Sequence, residues 1–291
     1  MTSRFRGLAA ATAVLFIWAS WLVVSRAGAL TALTIFDLAA IRYGVSALFV
    51  LPIVFWLKPW RSISIQRIAV ITILLGPLYI FLVFGGFKHA PAAHGGIYMN
   101  GALPVITLCL SWLWISERAT HRQMLGAVIV VIGVVMVVVD TTRISLGSTW
   151  LGDLMFVAAA VFFAAYLVAS RVWRVTIPQL LLCSSVLNAI IFVPIWVFFL
   201  PSEITHIATE ALALQLVYQG IVPNLIGLLL VTYAVRNIGA AATSAFMAGV
   251  PGLGALLSFI FLDEQLGGLG WAALVLLTFG IILMALRERT A

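Results

Sequence analysis

Ten long apolar stretches leave this chain few folds to choose from. Runs of about 18 or more apolar residues, bounded by charges or by Gly and Pro turns, predict helices over 6–25, 34–57, 67–87, 92–115, 121–139, 150–171, 177–200, 211–235, 239–262 and 269–286. A bilayer core of roughly 30 Å takes about 20 helical residues per crossing, so ten crossings use most of the 291 residues. The composition agrees: 64% of residues are hydrophobic and 9% charged, against about 45–50% and 25% in a soluble chain, too few charges to cover a water-facing surface. The longest expected connections, Lys58 to Gln66 and Pro201 to Glu210, are too short for an extramembrane domain. The expected fold class is all-α integral membrane, with the activity inside the bilayer.

The net charge of +7 does not point to nucleic acid, because the 16 Lys and Arg stand singly at the ends of apolar runs. With ten spans both termini share a side. Arg4, Arg6, Lys58, Arg61, Arg67, Arg118, Arg122, Arg171, Arg174, Arg236, Arg287 and Arg289 fall on it, whereas Arg26, Lys88 and Arg143 fall opposite. That bias predicts cytoplasmic termini in a bacterial inner membrane. Cys109 and Cys183 both lie in apolar runs and provide neither a disulfide framework nor a thiolate metal site.

The chain repeats itself. Leu22-Val23-Val24-Ser25-Arg26, ending the first span, returns as Leu167-Val168-Ala169-Ser170-Arg171, ending the sixth. This argues against reading Arg4, Arg6 and the apolar run before Ala27-Gly28-Ala29 as a cleavable leader. Ala93, Pro104, Glu117 and Gly133 return as Ala240, Pro251, Glu264 and Gly280, each 147 positions later. The sequence predicts two five-helix repeats, 1–145 and 146–291, in one membrane unit. Five is odd, so the second repeat is expected to be inverted, a transporter signature.

Helix breaks come in matched pairs: Pro52 with Pro194, Pro77 with Pro223, Pro104 with Pro251. A proline frees a carbonyl and kinks its helix, and matched breaks in both repeats point to a midplane substrate site. Pro77, Pro104, Pro223 and Pro251 are the expected hinge positions. Aromatic and amide residues gather on the same spans: Trp18, Trp21, Tyr79, Tyr98 and Asn100 in the first repeat, and Phe163, Tyr166, Tyr218, Gln219, Asn224 and Phe246 in the second. These are the candidate substrate-binding residues, since small-molecule sites combine apolar walls with a few placed polar groups; interhelical hydrogen bonding without ligand is the competing role for each.

Arg42 is the one charge well inside a span. It either attracts a substrate carboxylate or caps freed carbonyls, and the second role is favoured because its counterpart near Ser184 is uncharged. His94, at the entrance of the fourth span, reads as an interfacial or hydrogen-bonded histidine. All nine acids, Asp37, Glu117, Asp140, Asp153, Glu203, Glu210, Asp263, Glu264 and Glu288, fall near helix ends, which predicts weak selectivity for cations and no carboxylate proton relay. Glu117 and Glu264 are expected to cap the fifth and tenth helices. Gly126 and Gly133 give the fifth helix a stripe for close packing, and Gly85-Gly86 and Gly95-Gly96 read as hinges or packing points. Enzyme signals are weak: Gly44-Val45-Ser46-Ala47 faintly resembles an intramembrane serine protease, with no histidine placed to activate Ser46.

Two five-helix halves, Arg42-Tyr43 followed by Pro52, and Pro104 and Pro251 ahead of Glu117 and Glu264 together resemble the drug/metabolite transporter superfamily, EamA type. The resemblance spans nearly the whole chain; a departure is the missing second-half partner of Arg42. It implies an exporter with a central cavity built from the first, third, fourth, sixth, eighth and ninth helices, the fifth and tenth as support, and no cofactor or metal. Within the superfamily the chain resembles exporters of aromatic amino acids. The expected partners are a small-molecule substrate and the lipid bilayer, with no nucleic acid, and a monomer is the working expectation. The expected function is export of amino acids with aromatic or other apolar side chains by alternating access, the alternatives being a multidrug exporter of lipophilic compounds and an intramembrane enzyme.

Overall fold

The computed structural model describes residues 3–144 and 149–285. Arg287, Glu288 and Arg289 of the charge count, the side chain of Arg143, the last residue of the expected tenth span and the 145/146 repeat boundary lie outside the described residues. Among the described residues, ten helices are long and apolar enough to cross a membrane: α1 (Ser3–Ala29), α2 (Ile35–Leu57), α3 (Ile65–His89), α4 (Ala92–Ile115), α5 (His121–Asp140), α6 (Trp150–Trp173), α7 (Ile177–Phe199), α8 (Thr209–Ile238), α9 (Ala242–Leu262) and α10 (Gly268–Ala285). Each matches a span expected from the sequence.

Short polar signals start and stop these helices. At α2 the Asp37 N–H donates to Thr34 Oγ1 (3.0 Å) and the Thr34 N–H to Asp37 Oδ2 (2.9 Å), a reciprocal cap whose loss costs about 1 kcal/mol. α7 opens alike, the Thr176 N–H donating to Gln179 Oε1 at 2.9 Å. Ser116 and Asp263, which close α4 and α9, both take left-handed backbone, with φ of 54° and 53°. The same local solution thus recurs in both halves.

Glu117 and Glu264 do not cap α5 and α10. The left-handed turn just before each sends its carboxylate back toward the helices already laid down. Glu264 Oε1 accepts from Arg26 Nε at the end of α1 (2.7 Å), and Oε2 from the Ala92 N–H at the start of α4 (2.8 Å) and from Ser258 Oγ in α9 (3.0 Å). Glu117 pairs with Arg171 at the end of α6 through two bonds of 2.7 and 3.0 Å. α5 is capped instead by Thr120 and Gln123, and Asp140 Oδ2 accepts from the Gly267 N–H just ahead of α10 (2.9 Å).

The packing pattern is symmetric under exchange of the halves. α1 packs on α8 and α9, α6 on α3 and α4, α2 on α7, and α5 on α10. The α5–α10 pair is the most intimate, because Gly126, Gly133 and Gly280 let the backbones meet: a Cβ at Gly126 would lie 2.7 Å from the Gly280 carbonyl oxygen, and one at Gly133 2.8 Å from Leu277. Gly85, Gly86 and Gly95 are packing points too, filled by Met155, Phe156 and Phe87. The outer faces are apolar, with exposed Trp56, Trp112, Trp114, Trp150, Phe198 and Phe199 near the helix ends, where aromatic rings suit the membrane–water boundary. The chain is an integral membrane protein.

Candidate functional site

Among the described residues five spans are interrupted, α9 between Met247 and Val250 and four others besides. α3 stops at Leu75 and restarts at Pro77; α4, α7 and α8 each contain a widened turn, over Gly95–Gly101, Leu182–Leu187 and Val222–Ile226. Such turns and prolines leave carbonyls without their helical partners, and in a membrane those carbonyls need another donor. Side chains provide it. Tyr43 Oη donates to the Leu75 carbonyl (2.9 Å) and Ser46 Oγ to that of Gly220 (2.6 Å). Asn188 Nδ2 donates to the carbonyls of Thr72 (3.2 Å) and Cys183 (2.8 Å). Asn224 Nδ2 donates to the Gln219 carbonyl (2.8 Å) and to Ser46 Oγ (3.3 Å). Gly220 allows the close passage of α2 against α8: a Cβ there would sit 2.3 Å from Val45.

Between the breaks lies a cavity of about 250 Å³. α1 contributes Trp18 and Trp21, α3 Leu75 and Tyr79, α4 Met99, Asn100 and Leu103, α6 Phe163 and Tyr166, and α8 Pro223, Asn224 and Leu228. α2 adds Arg42, Tyr43 and Ser46, and α7 adds Leu180, Leu181, Ser184 and Ser185. Tyr79 and Phe163 stack with centroids 5.9 Å apart and planes 17° apart, and Phe163 meets Tyr166 at 5.3 Å. Together they make one aromatic wall.

Among the described residues Arg42 is the sole charged side chain that lines the cavity. Its Cζ stands 5.6 Å from the centroid of the Trp21 ring, a cation–π contact, and its Nη1 is buried without a hydrogen-bond partner. The carbonyl-capping role favoured from the sequence is therefore taken by Tyr43, Ser46, Asn188 and Asn224. Trp21 is held from behind: its Nε1 donates to Gln219 Oε1 (2.9 Å), and Gln219 Nε2 donates to Ser25 Oγ and to Gln215 Oε1, both at 3.0 Å. A chain of satisfied polar groups between α1 and α8 thus sets the indole that faces Arg42.

Of the sequence candidates, Trp18, Trp21, Tyr79, Asn100, Phe163, Tyr166 and Asn224 come together in this wall, with Pro223 among the hinge prolines. Tyr98 lies outside the lining and meets the buried ring of His94 at 5.6 Å. Tyr218 Oη bonds Ser20 Oγ (2.7 Å), and Gln219 is the strut behind Trp21. Phe246 packs with Ala10, Ala11 and Ala234 in a separate cluster, and Pro251 fits against Gly96. Pro77 and Pro104 begin helical segments outside the wall. The cavity accordingly lacks α9 and includes α2 and α7, unlike the set expected from the resemblance. The polar residues Arg42, Ser184 and Ser185 in midspan were the signal for those two helices.

His94, fully buried, bonds Asp153 through Nδ1 at 2.7 Å, while its Nε2 and the Tyr98 hydroxyl have no partner. Ser46 donates its hydroxyl to the Gly220 carbonyl and accepts from Asn224 Nδ2. Among the described residues no three His, Cys, Asp or Glu side chains converge as metal ligands.

Comparison with known proteins agrees with this picture. A solved crystal structure aligns over 97% of both chains with a TM-score of 0.62 at 19% identity, a likeness of fold. The chain is 26% identical over 230 residues to YyaM of Bacillus subtilis, described as an uncharacterized transporter, covering 76% of this chain and 75% of that one. It is also 26% identical over 191 residues to a probable terminal-alkyne amino-acid exporter of Streptantibioticus cattleyicolor, covering 64% of this chain and 61% of that one. One family model matches twice, over residues 5–139 and 150–286, five spans each time. With ten membrane helices in two halves and a largely apolar cavity that holds one arginine, the chain belongs to the EamA-like transporter family.

Proposed function

We propose that this transporter exports small metabolites, most of all amino acids with aromatic or other apolar side chains, across the bacterial inner membrane by alternating access, with both termini in the cytoplasm. The observation that carries the substrate class is the guanidinium of Arg42, whose buried Nη1 has no hydrogen-bond partner, beside the Tyr79–Phe163–Tyr166 wall. A carboxylate satisfies the first by charge-assisted hydrogen bonding, and a ring stacks on the second. The name of the Streptantibioticus relative, an amino-acid exporter, and the resemblance to the aromatic amino-acid exporter YddG support the same reading.

The two halves, 1–145 and 146–291, act as inverted repeats that rock about the cavity. Their ends are held by related but unequal ion pairs. Arg26–Glu264 is largely buried, with side chains 15% and 13% exposed, whereas Arg171–Glu117 stands at 65% and 41%. The tightly bonded end is the closed one. The lining contains no carboxylate, which weighs against a multidrug exporter of lipophilic cations and against proton exchange at the substrate site.

The test is efflux from liposomes that contain the purified protein and labelled phenylalanine, tryptophan or a polar amino acid, with and without a proton gradient. Saturable efflux of the aromatic amino acids, unchanged by the gradient and absent for the polar one, is expected. No efflux above empty liposomes, together with binding of a lipophilic cation, would move the assignment to multidrug export.

A further inference from the structure

We infer that the side-chain oxygen of Asn224 receives the α-ammonium group of the substrate while Arg42 holds its carboxylate, so that the cavity selects free α-amino acids over acids that lack the amine. The inference rests on the proposed amino-acid reading and deepens it by naming the residue that reads the amine.

The break in α8 sets this oxygen. A helical N–H at position 223 would donate to the Gln219 carbonyl four residues back, and Pro223 has none to give. The Asn224 side chain takes its place: Nδ2 lies 2.8 Å from the Gln219 carbonyl oxygen and 3.3 Å from Ser46 Oγ. A backbone carbonyl only accepts, so the amide nitrogen must face it and the orientation of the amide is fixed. Both bonds use Nδ2, which leaves Oδ1 as the free polar atom of a residue that lines the cavity. Donation through the nitrogen also makes that oxygen a better acceptor.

Its position relative to Arg42 suits one ligand with two charges. Ser46 follows Arg42 by one turn of α2, roughly 6 Å along the axis, and Ser46 Oγ touches Asn224. Cation and fixed acceptor thus stand about a turn apart, within reach of a carboxylate and an ammonium that share one carbon. An ammonium taken out of water needs such an acceptor, and the carboxylate beside it offsets the repulsion from the guanidinium. The hydroxyls of Tyr79, Tyr166, Ser184 and Ser185 also line the space, as does a second amide, Asn100. Hydroxyls rotate and can donate or accept. The Asn224 oxygen differs from these because it cannot turn away without breaking the bonds to Gln219 and Ser46.

Phenylalanine and 3-phenylpropionate differ by the amine alone. Binding of both to the full chain in lipid nanodiscs, followed by tryptophan fluorescence at neutral pH, is expected to favour phenylalanine about tenfold or more, the value of a hydrogen bond to a charged group. Two variants separate an acceptor from a strut. Asn224→Ala and Asn224→Asp both lose Nδ2 and its two bonds, but only Asp keeps a second oxygen to accept from the amine. The preference for phenylalanine is expected to vanish in Asn224→Ala and to persist at about tenfold or more in Asn224→Asp. A strut alone would affect both variants alike and leave the ratio of the probes where it was. If Asn224→Ala fails to fold, the same loss of preference is expected in Pro223→Ala/Asn224→Ala, where the N–H restored at 223 takes over the Gln219 carbonyl. Equal binding of the two probes to the unaltered protein, a preference that survives removal of Asn224, or one lost equally with Ala and Asp would overturn the inference and leave the amino-acid reading standing. If neither probe binds the unaltered protein, both fall.

Discussion

A single amide holds the wall of the cavity in place. Gln219 bonds Trp21, Ser25 and Gln215 at once, and each is left with a buried unsatisfied group if the amide is removed. Gln219→Leu is therefore expected to lower stability by about 1–3 kcal/mol, read as a lower melting temperature in detergent, and to weaken ligand binding, because the indole beneath Arg42 loses its support. Tyr98→Phe removes a hydroxyl that has no partner and should leave both melting temperature and transport unchanged; a loss of transport would place Tyr98 in the substrate path after all. Much of the wall was readable from the sequence because aromatic and amide residues are conspicuous in apolar helices. Which way each one points was not. A helix with lipid on one side and packed protein on the other is apolar all round, so periodicity carries little contrast. Tyr98, Tyr218, Gln219 and Phe246 are aromatic and amide residues on the same broken spans, yet each packs outside the lining.

Among the elements, the α5–α10 pair depends on residues that have no side chain. A Cβ at Gly126 would come within 2.5 Å of Met284 and 2.7 Å of the Gly280 carbonyl, whereas Gly252 in α9 faces open space. Gly126→Val should cost at least about 1–3 kcal/mol through overpacking, and Gly252→Ala should be near neutral; thermal unfolding of the two variants side by side checks the contrast. The number and order of the helices were readable because membrane crossing requires about 20 apolar residues whatever the tertiary packing. The capping partners were not, since a left-handed residue such as Asp263 redirects the next carboxylate toward α1 and α4, and only the folded chain shows what lies there. α2 and α7 entered the cavity unforeseen for a similar reason: their polar midspan residues were visible, but the depth to which they reach was not.

For the molecule as a whole, the inequality of its two ends is the main asymmetry. Glu264 ties α1, α4 and α9 together from a largely buried position, and Glu117 makes only the exposed pair with Arg171. Leaving a buried charge unpaired costs about 3–5 kcal/mol, and an exposed pair contributes about 0–1 kcal/mol. Glu264→Gln is thus expected to destabilise far more than Glu117→Gln, and only the Arg171–Glu117 pair should weaken visibly with added salt; melting temperatures of both variants across a salt series test this. The positive cavity has a further consequence for the host. A path that opens alternately to either side of a membrane is a hazard to the ion gradients that power the cell. A fixed guanidinium in the cavity wall, with no carboxylate among the described lining residues, repels protons, sodium and potassium there, so the cell could carry many copies of this transporter without discharging its own battery.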